Sequence, residues 1–343
     1  MAAEEKVAVS VDGRTLTLTN LAKVLYPETG FTKAEVLSYY QQVAPVLLPH
    51  ITGRPLTLKR YPDGVDGEAF FAKHAPGHTP DWIATVRIIS SSSRARGETV
   101  TYLVIDDLPA LIWVANLAGL ELHAPMWRLP VAAAGGRAAG AAGAAGARAA
   151  AGAVGGRAAV LDGRAVPDGP EREPDLLVFD LDPGVPATIV ECCAVALALR
   201  PMLKADGLDP LAKTSGGKGM QLYARIDGLT AAQASDLARG YAERLERDQP
   251  GQVTSRMTKA LRPGKIFIDW SQNNGKKTTV APYSLRARAH PTVSTPVTWA
   301  EVAACTETAD LFFTADELPA RIEEFGDLFA PLLPGRSLPS ARF

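Results

Sequence analysis

The sequence predicts a mixed α/β (α+β) protein built on a split βαβ sheet. Three features predict it. Short runs rich in Val, Ile, Leu and Phe are interleaved with segments of helical period. Gly, Pro and Asp-Gly pairs punctuate the boundaries. From Asp175 onward the segments follow the order strand, helix, strand, strand, helix, strand.

Taken in order, VAVSVDGRTLTLT reads as a hairpin turned by Asp12-Gly13. TKAEVLSYYQQVAPVLLPHI is an amphipathic helix with Thr32 as N-cap and Glu35 closing a capping box. PLTLKRYPDG, AFFAKHAP, TVRIISSS and ETVTYLVID are strand-like, and LPALIWVANLAGLELH reads as a helix from Leu108 to near His123. Residues 132–159 hold only Ala, Gly, Val154 and three arginines, too little to bury a core, and read as a low-complexity insertion.

Beyond it, DLLVFDLD is a strand, and ATIVECCAVALALRPMLKADG is a helix stopped by Gly207. LAKTSGGKG is a strand entering a Gly-rich turn, followed by the strand MQLYARI. AAQASDLARGYAERLERD is an amphipathic helix, and KIFIDWS and TTVAPYSL are strands. Such a ferredoxin-like unit carries its helices on one face and leaves the other free for a site. The expected organisation is one domain over 1–343: an N-terminal module to about 130, the insertion, a module over about 160–298 and an acidic tail over 299–343.

Bulk charge is balanced, 36 basic against 37 acidic residues, but its distribution is not. Eight Lys/Arg and one acid lie between Arg256 and Arg288, and eight acids and one base between Glu301 and Asp327. The basic segment suits an anionic ligand. Cys192, Cys193 and Cys305 form no C-x-x-C pair, and the first two read as packing residues on a helix. MAAEEKVAVS lacks the pattern of a signal peptide, and no apolar run reaches membrane-spanning length. A cytoplasmic protein without a membrane partner is expected.

In LLVFDLDPG, strand alternation puts Val178, Asp180 and Asp182 on one face, the two aspartate Cα atoms roughly 6.5 to 7 Å apart. Ionised carboxylates that close repel each other, and a hard divalent cation such as Mg²⁺ or Mn²⁺ relieves the repulsion. In IFIDW, Phe267 and Asp269 share a face. If this strand adjoins the first, three carboxylates converge, as a two-metal phosphoryl-transfer centre requires. Solvated strand-end aspartates are the alternative. KTSGGKG could offer backbone N–H groups and Lys218 to a phosphate, or be a plain glycine turn. Arg262, Lys265, Arg286 and Arg288 flank the Asp269 strand and could neutralise a triphosphate, or be surface charges. Phe70 and Phe71 would stack on bases if exposed and belong to the core if buried.

Together LVFDLDPG, TSGGKGMQLY, FIDWSQN-x-x-KTT and APYSLR resemble the primase-polymerase domain of bacterial end-joining ligase D and its stand-alone actinobacterial homologues, in the archaeo-eukaryotic primase superfamily. The resemblance runs from about Leu16 past His290. It implies a primase-type catalytic core, an RRM-like sheet packed against an N-terminal α/β module. It also implies that Asp180, Asp182 and Asp269 are the catalytic triad and hold two Mn²⁺ or Mg²⁺ ions. Lys59, His123, Ser215, Lys218, Arg262, Gln272 and Arg286 would be nucleotide contacts, and Phe70 and Phe71 base and template contacts. Asn20, Lys23 and Lys33 would form a pocket for a downstream 5′-phosphate.

The implied activity is template-dependent filling of short DNA gaps, with ribonucleotides accepted and often preferred. The implied partners are gapped or broken double-stranded DNA, nucleoside triphosphates, and a separate ligase and Ku, in excision repair or end joining at the nucleoid. Where the family often has histidine this chain has Gln221, which hydrogen-bonds but cannot be charged. No adenylation-lysine motif or nuclease segment is seen, which suggests a stand-alone gap filler. Two other readings start from the same residues. VFDLDPG resembles the first motif of haloacid dehalogenase-type phosphatases, and the basic segment suits a non-catalytic DNA-binding module.

Overall fold

A computed structural model describes residues 6–89, 97–130 and 172–335, together with the short strands at 166–167 and 341–342. The Ala/Gly segment at 132–159 lies outside the described residues. Among the described residues two larger sheets form, each with its own apolar core.

The second sheet is the predicted split βαβ. The strand Leu176–Pro183 is followed by the helix Ile189–Ala205 and the strands Leu211–Thr214 and Met220–Asp227. The helix Ala231–Asp248 and the strand Ile266–Asp269 complete the unit. Spatially the last strand lies beside the first, then the third, then the second, all neighbours antiparallel. Short strands at Val253–Thr254 and Pro296–Val297 extend the two edges.

Both helices begin with a capping box, Thr188 with Glu191 and Thr230 with Gln233, which satisfies N-terminal donors locally. Gly207 follows the first of them at φ +79°, as the stop signal predicts. The helices cover the face formed by Leu177, Phe179 and Leu181, all fully buried. The opposite face, with Val178, Asp180 and Asp182, is left to the site. Cys192 and Cys193 are buried packing residues, and burial pushes both thiols' pKa up.

The first sheet contains the strands Thr85–Ile89, Thr99–Val104, Pro55–Arg60, Gly119–Ala124 and Thr279–Val280, with Phe70–Ala72 beside Pro55–Arg60. The helix Lys33–Ile51 packs on it, begun by Thr32 and Glu35 as expected. Two sequence expectations fail here. The apolar run from Leu108 is helical only to Asn116; Ala118 then adopts φ +56° and Gly119–Ala124 is a strand. A Cβ on Gly119 would meet Val114 O at 2.8 Å, so glycine permits the turn, and the two-residue alternation of LELH does the rest.

TTVAPYSL is likewise no continuous strand of the second sheet. Thr279–Val280 pairs with Gly119–Ala124, the chain turns through Pro282 and Tyr283 (φ +64°), and Leu285–Ala287 pairs with Pro291–Val293. Ala281, Tyr283, Leu285 and Val293 join the first core, so this core takes residues from the expected 160–298 module. The acidic C-terminal stretch also packs inward, through Leu318, Phe329 and Leu332. No helix among the described residues is long and apolar enough to cross a membrane.

An ion-pair network, buried at Arg54 and partly exposed at Asp175, ties the segments together. Arg54, 1% exposed, donates to Asp175 at 2.6 Å, and Arg128 donates to the same carboxylate oxygen at 3.0 Å. Asp175→Ala leaves two guanidinium groups without their anion and should cost about 3–5 kcal/mol in urea denaturation. Glu243→Ala, which breaks the exposed Arg239–Glu243 pair, should cost no more than about 0.5 kcal/mol.

Candidate active site

Pairing register builds the site. Across the sheet Lys213 opposes Gln221, Gln221 opposes Asp180, and Asp180 opposes Asp269. Directly opposed residues project to the same face. One polar row therefore crosses four strands, with Asp182 two residues on from Asp180 and opposite Phe267. The structure thus brings the three sequence-predicted aspartates onto one face.

Their partners differ. Asp180 Oδ1 accepts from Gln221 Nε2 at 2.9 Å. Asp269 Oδ1 accepts from Ser271 N and Oγ, and its Oδ2 from Gln272 Nε2 at 2.9 Å. Among the described residues no three His, Cys, Asp or Glu side chains form a ready cation cage.

The donor set nevertheless suits a hard cation. Burial first, then the Asp182 charge, then Asp269, raises the Asp180 pKa, while the Gln221 bond lowers it. Burial and Asp269 raise that of Asp182. The face carries more negative charge than it can ionise comfortably, and oxygen-seeking dications relieve that.

Asp180 and Asp182 front an open cavity of about 440 Å³. His123, Ser215, Lys218, Arg262, Gln272 and Arg286 also line it, as does Arg288. All the expected nucleotide contacts except Lys59 are thus gathered around one space. Cations on its walls and carboxylates on its floor allow it to hold a polyphosphate with bridging metal ions.

The Gly-rich turn is built by close approach. Gly216 has φ +65°, and a Cβ there would meet Val293 C at 2.7 Å. Two of the turn's N–H groups, those of Gly217 and Gly219, donate to Ser215 Oγ at 3.2 Å each. Ser215 therefore organises the turn that presents Lys218. Arg286 donates to Ser215 O at 2.5 Å, which joins the turn to the opposite wall. Arg262 stacks on Phe267 at 3.7 Å and donates to Met257 O.

On the first sheet His123 projects from Gly119–Ala124. Phe71 stands edge-on to it at 5.7 Å, and Lys59 Nζ lies 5.6 Å from the Phe71 ring. Lys59 therefore stands beside the cavity-lining histidine rather than on the cavity wall itself. Phe70 and Phe71 are 44% and 58% exposed, with Arg60 over the first ring and Lys59 over the second. Asn20, Lys23 and Lys33 come together away from the cavity, Lys33 opening its helix: Lys23 N bonds Asn20 O, and Lys33 N bonds Lys23 O at 2.8 Å. The two amines differ, since Lys23 pairs with exposed Asp63 while Lys33, 5% exposed, donates to Thr19 O.

Sequence reasoning missed three contributors. Glu121, 2% exposed, accepts from Ala287 N and lies 2.9 Å from His123 Nε2 and 3.3 Å from Arg286 Nε. Lys213 is wholly buried, and burial, then Arg286, holds its pKa well below the ordinary lysine value. Tyr40 OH donates to Leu120 O and accepts from Leu285 N, pinning the strands that carry His123 and Arg286. A charged residue inside an apolar run, as in LELH and LAKT, was the available signal for the first two.

A split βαβ sheet whose open face sets aspartates against a basic cavity defines a nucleotidyltransferase of the primase-polymerase class. The family model described as LigD, primase-polymerase domain, matches residues 32–329. The chain belongs to the LigD primase-polymerase domain family. It is 42% identical over 316 residues to the multifunctional non-homologous end joining protein LigD of Mycolicibacterium smegmatis, covering 92% of this chain and 36% of that one. It is 26% identical over 313 residues to the bifunctional LigD of Bacillus subtilis, covering 91% of this chain and 43% of that one. The polymerase domain from Mycobacterium tuberculosis ligase D in complex with DNA superposes with a TM-score of 0.76 at 41% identity, covering 92% of this chain and 97% of that one. The chain thus spans less than half the length of these LigD proteins.

Burial opposes ionisation of Glu121, but His123, Arg286 and Ala287 N–H more than offset it and hold the carboxyl at about 2, below the usual 4.5. A depressed carboxyl stabilises the fold above the unfolded value, and that contribution is lost as pH falls from 4.5 through 2. Glu121→Gln should therefore be less stable than wild type by about 3 kcal/mol at pH 7. The gap should close as acid is added below pH ~4.5, read from urea midpoints across pH.

Proposed function

We propose that the domain is a template-dependent DNA/RNA nucleotidyltransferase that fills short gaps in DNA during repair, accepting ribonucleotides and recognising a downstream 5′-phosphate. One observation carries the reading: Asp180, Asp182 and Asp269 share one face of the split βαβ sheet, beside a cavity lined by Lys218, Arg262, Arg286 and Arg288.

Asp180, Asp182 and Asp269 would hold two Mn²⁺ or Mg²⁺ ions. When bound, these supply Lewis-acid stabilisation of the attacking primer hydroxyl and of the leaving pyrophosphate. Lys218 and Arg286 offset triphosphate charge from the opposite wall, and Lys59 adds a further cation near its rim. His123 has one ring nitrogen committed to Glu121, so its other nitrogen is the atom available to the nucleotide. Exposed Phe70 and Phe71 offer π-faces to the nascent and template bases. Asn20, Lys23 and Lys33 lie together, joined by backbone bonds, and would take the phosphate across a short gap.

The M. tuberculosis domain was solved with DNA, and the LigD proteins are described as end-joining proteins. Both support DNA as substrate and end joining as the setting; gapped or broken ends, Ku, a separate ligase and a place at the nucleoid belong to the proposal. Excision-repair gap filling uses the same chemistry.

Primer extension on gapped, 5′-phosphorylated DNA tests the reading. The wild type should extend with Mn²⁺ or Mg²⁺ and stop on addition of chelator. Asp180→Ala should bind the gap yet not extend it. Gap binding without extension by the wild type would instead favour the non-catalytic module. Removing the downstream phosphate should weaken gap binding about tenfold, and Lys23→Ala should abolish that difference.

A further inference from the structure

Lys213 has no part in the proposed reaction, yet it sits at 0% exposure in the same row as the aspartates. Its Nζ donates to Gln221 Oε1 at 2.5 Å and to Ser294 Oγ at 2.6 Å. Ser294 passes its own proton to Thr214 O at 2.9 Å, so it receives from the lysine. Tyr223 OH stands 3.3 Å from the same Gln221 oxygen and 2.7 Å from Thr279 Oγ1, so it donates to Gln221 when Thr279 donates to it. An amide that faces two donors must turn its oxygen to them. The NH₂ end then points the other way, and it donates to Asp180 Oδ1. Asp180 Oδ2 remains for the cavity that Asp180 lines.

We propose that Lys213 is a positioning residue: through Gln221 it fixes the Asp180 carboxylate, holding one oxygen and presenting the other to a divalent cation. The inference rests on the reading of Asp180 as a metal-holding residue. The chemistry suits that task. A neutral amide orients a carboxylate without the full positive charge that would compete with the cation. The amine that locks the amide is kept one residue further back. Outer partners of this kind are worth roughly 10- to 100-fold in metal affinity.

The alternative role for Lys213 is electrostatic, and it has the opposite sign. A lysine acting only by its charge repels cations, so its removal would tighten metal binding.

Mn²⁺ binding to the whole chain, measured by calorimetry and by electron paramagnetic resonance without nucleotide, separates these. Lys213→Met and Gln221→Met should each weaken Mn²⁺ binding roughly 10- to 100-fold. The double variant should be no weaker than either alone, because both act through one bond chain. Unchanged or tighter binding in folded Lys213→Met, or losses that multiply, would overturn the proposal. Should Lys213→Met not fold, Ser294→Ala decides. It removes the lysine's second anchor and the Ser294 bond to Thr214 O, neither of which touches an aspartate, so a smaller loss in the same direction supports the proposal and wild-type affinity overturns it. Asp180→Ala tests the underlying reading separately. Mn²⁺ uptake that survives this substitution, or a wild type with no uptake, sinks the metal assignment itself.

Discussion

The pairing of Asp180 with Asp269 is the constraint on which the site depends. A strand has only two faces, so a slip of one residue between Leu176–Pro183 and Ile266–Asp269 would set Asp180 against Ile268. Asp269 would then lie on the opposite face from Asp180 and Asp182, and one strand's carboxylates would point at the helices, where Leu177, Phe179 and Leu181 now pack. The apolar face therefore does more than bury area. Its two-residue period makes any slipped register expensive, so the same packing that stabilises the sheet places the acids.

Lys218 and Arg262 lie on connections of the same sheet as that row, but Arg286 and His123 come from a different part of the chain and must be held at a fixed distance from it. The bonds that hold them are polar and buried. Tyr40 OH sits between Leu120 and Leu285, and Ser284 Oγ accepts from Leu122 N at 2.9 Å. Glu121 then reaches from the strand so fixed to both His123 and Arg286. Buried donors and acceptors of this kind have narrow geometry and are costly to leave unmet. They suit a site in which a misplaced cation would leave the phosphate uncompensated.

Much of this was legible in the sequence, for a physical reason. Strand alternation, capping boxes and glycine stops are local, so the hairpin, the helix from Thr32, the split βαβ order and the shared face of the aspartates could be read directly. What escaped reading was non-local. A helix propensity that runs from Leu108 past Asn116 is overruled at Ala118, because the next residues complete a sheet with Pro55–Arg60. TTVAPYSL looks like one strand because its composition says nothing of which sheet it joins, and its two halves answer to different partners. Glu121 and Lys213 could be noticed as charges in apolar runs, but their roles are set by Arg286 and Gln221, which are remote in the chain or on another strand.

Pro183-Gly184 illustrates how a local signal can carry a non-local requirement. As sequence it ends a strand. In the fold, Gly184 N donates to Lys265 O at 2.8 Å, and Gly264 N returns a bond to Gly184 O at 3.0 Å. A Cβ on Gly184 would lie 1.9 Å from Arg262 O, so no side chain fits there without a backbone shift. The turn after the first two aspartates is thus locked against the turn that leads into the third. Glycine at this point brings Arg262 against the cavity and sets the start of Ile266–Asp269 level with the end of Leu176–Pro183. The pairing of Asp180 with Asp269 is therefore fixed from both directions: by apolar alternation along the strands, and by backbone contact at their ends.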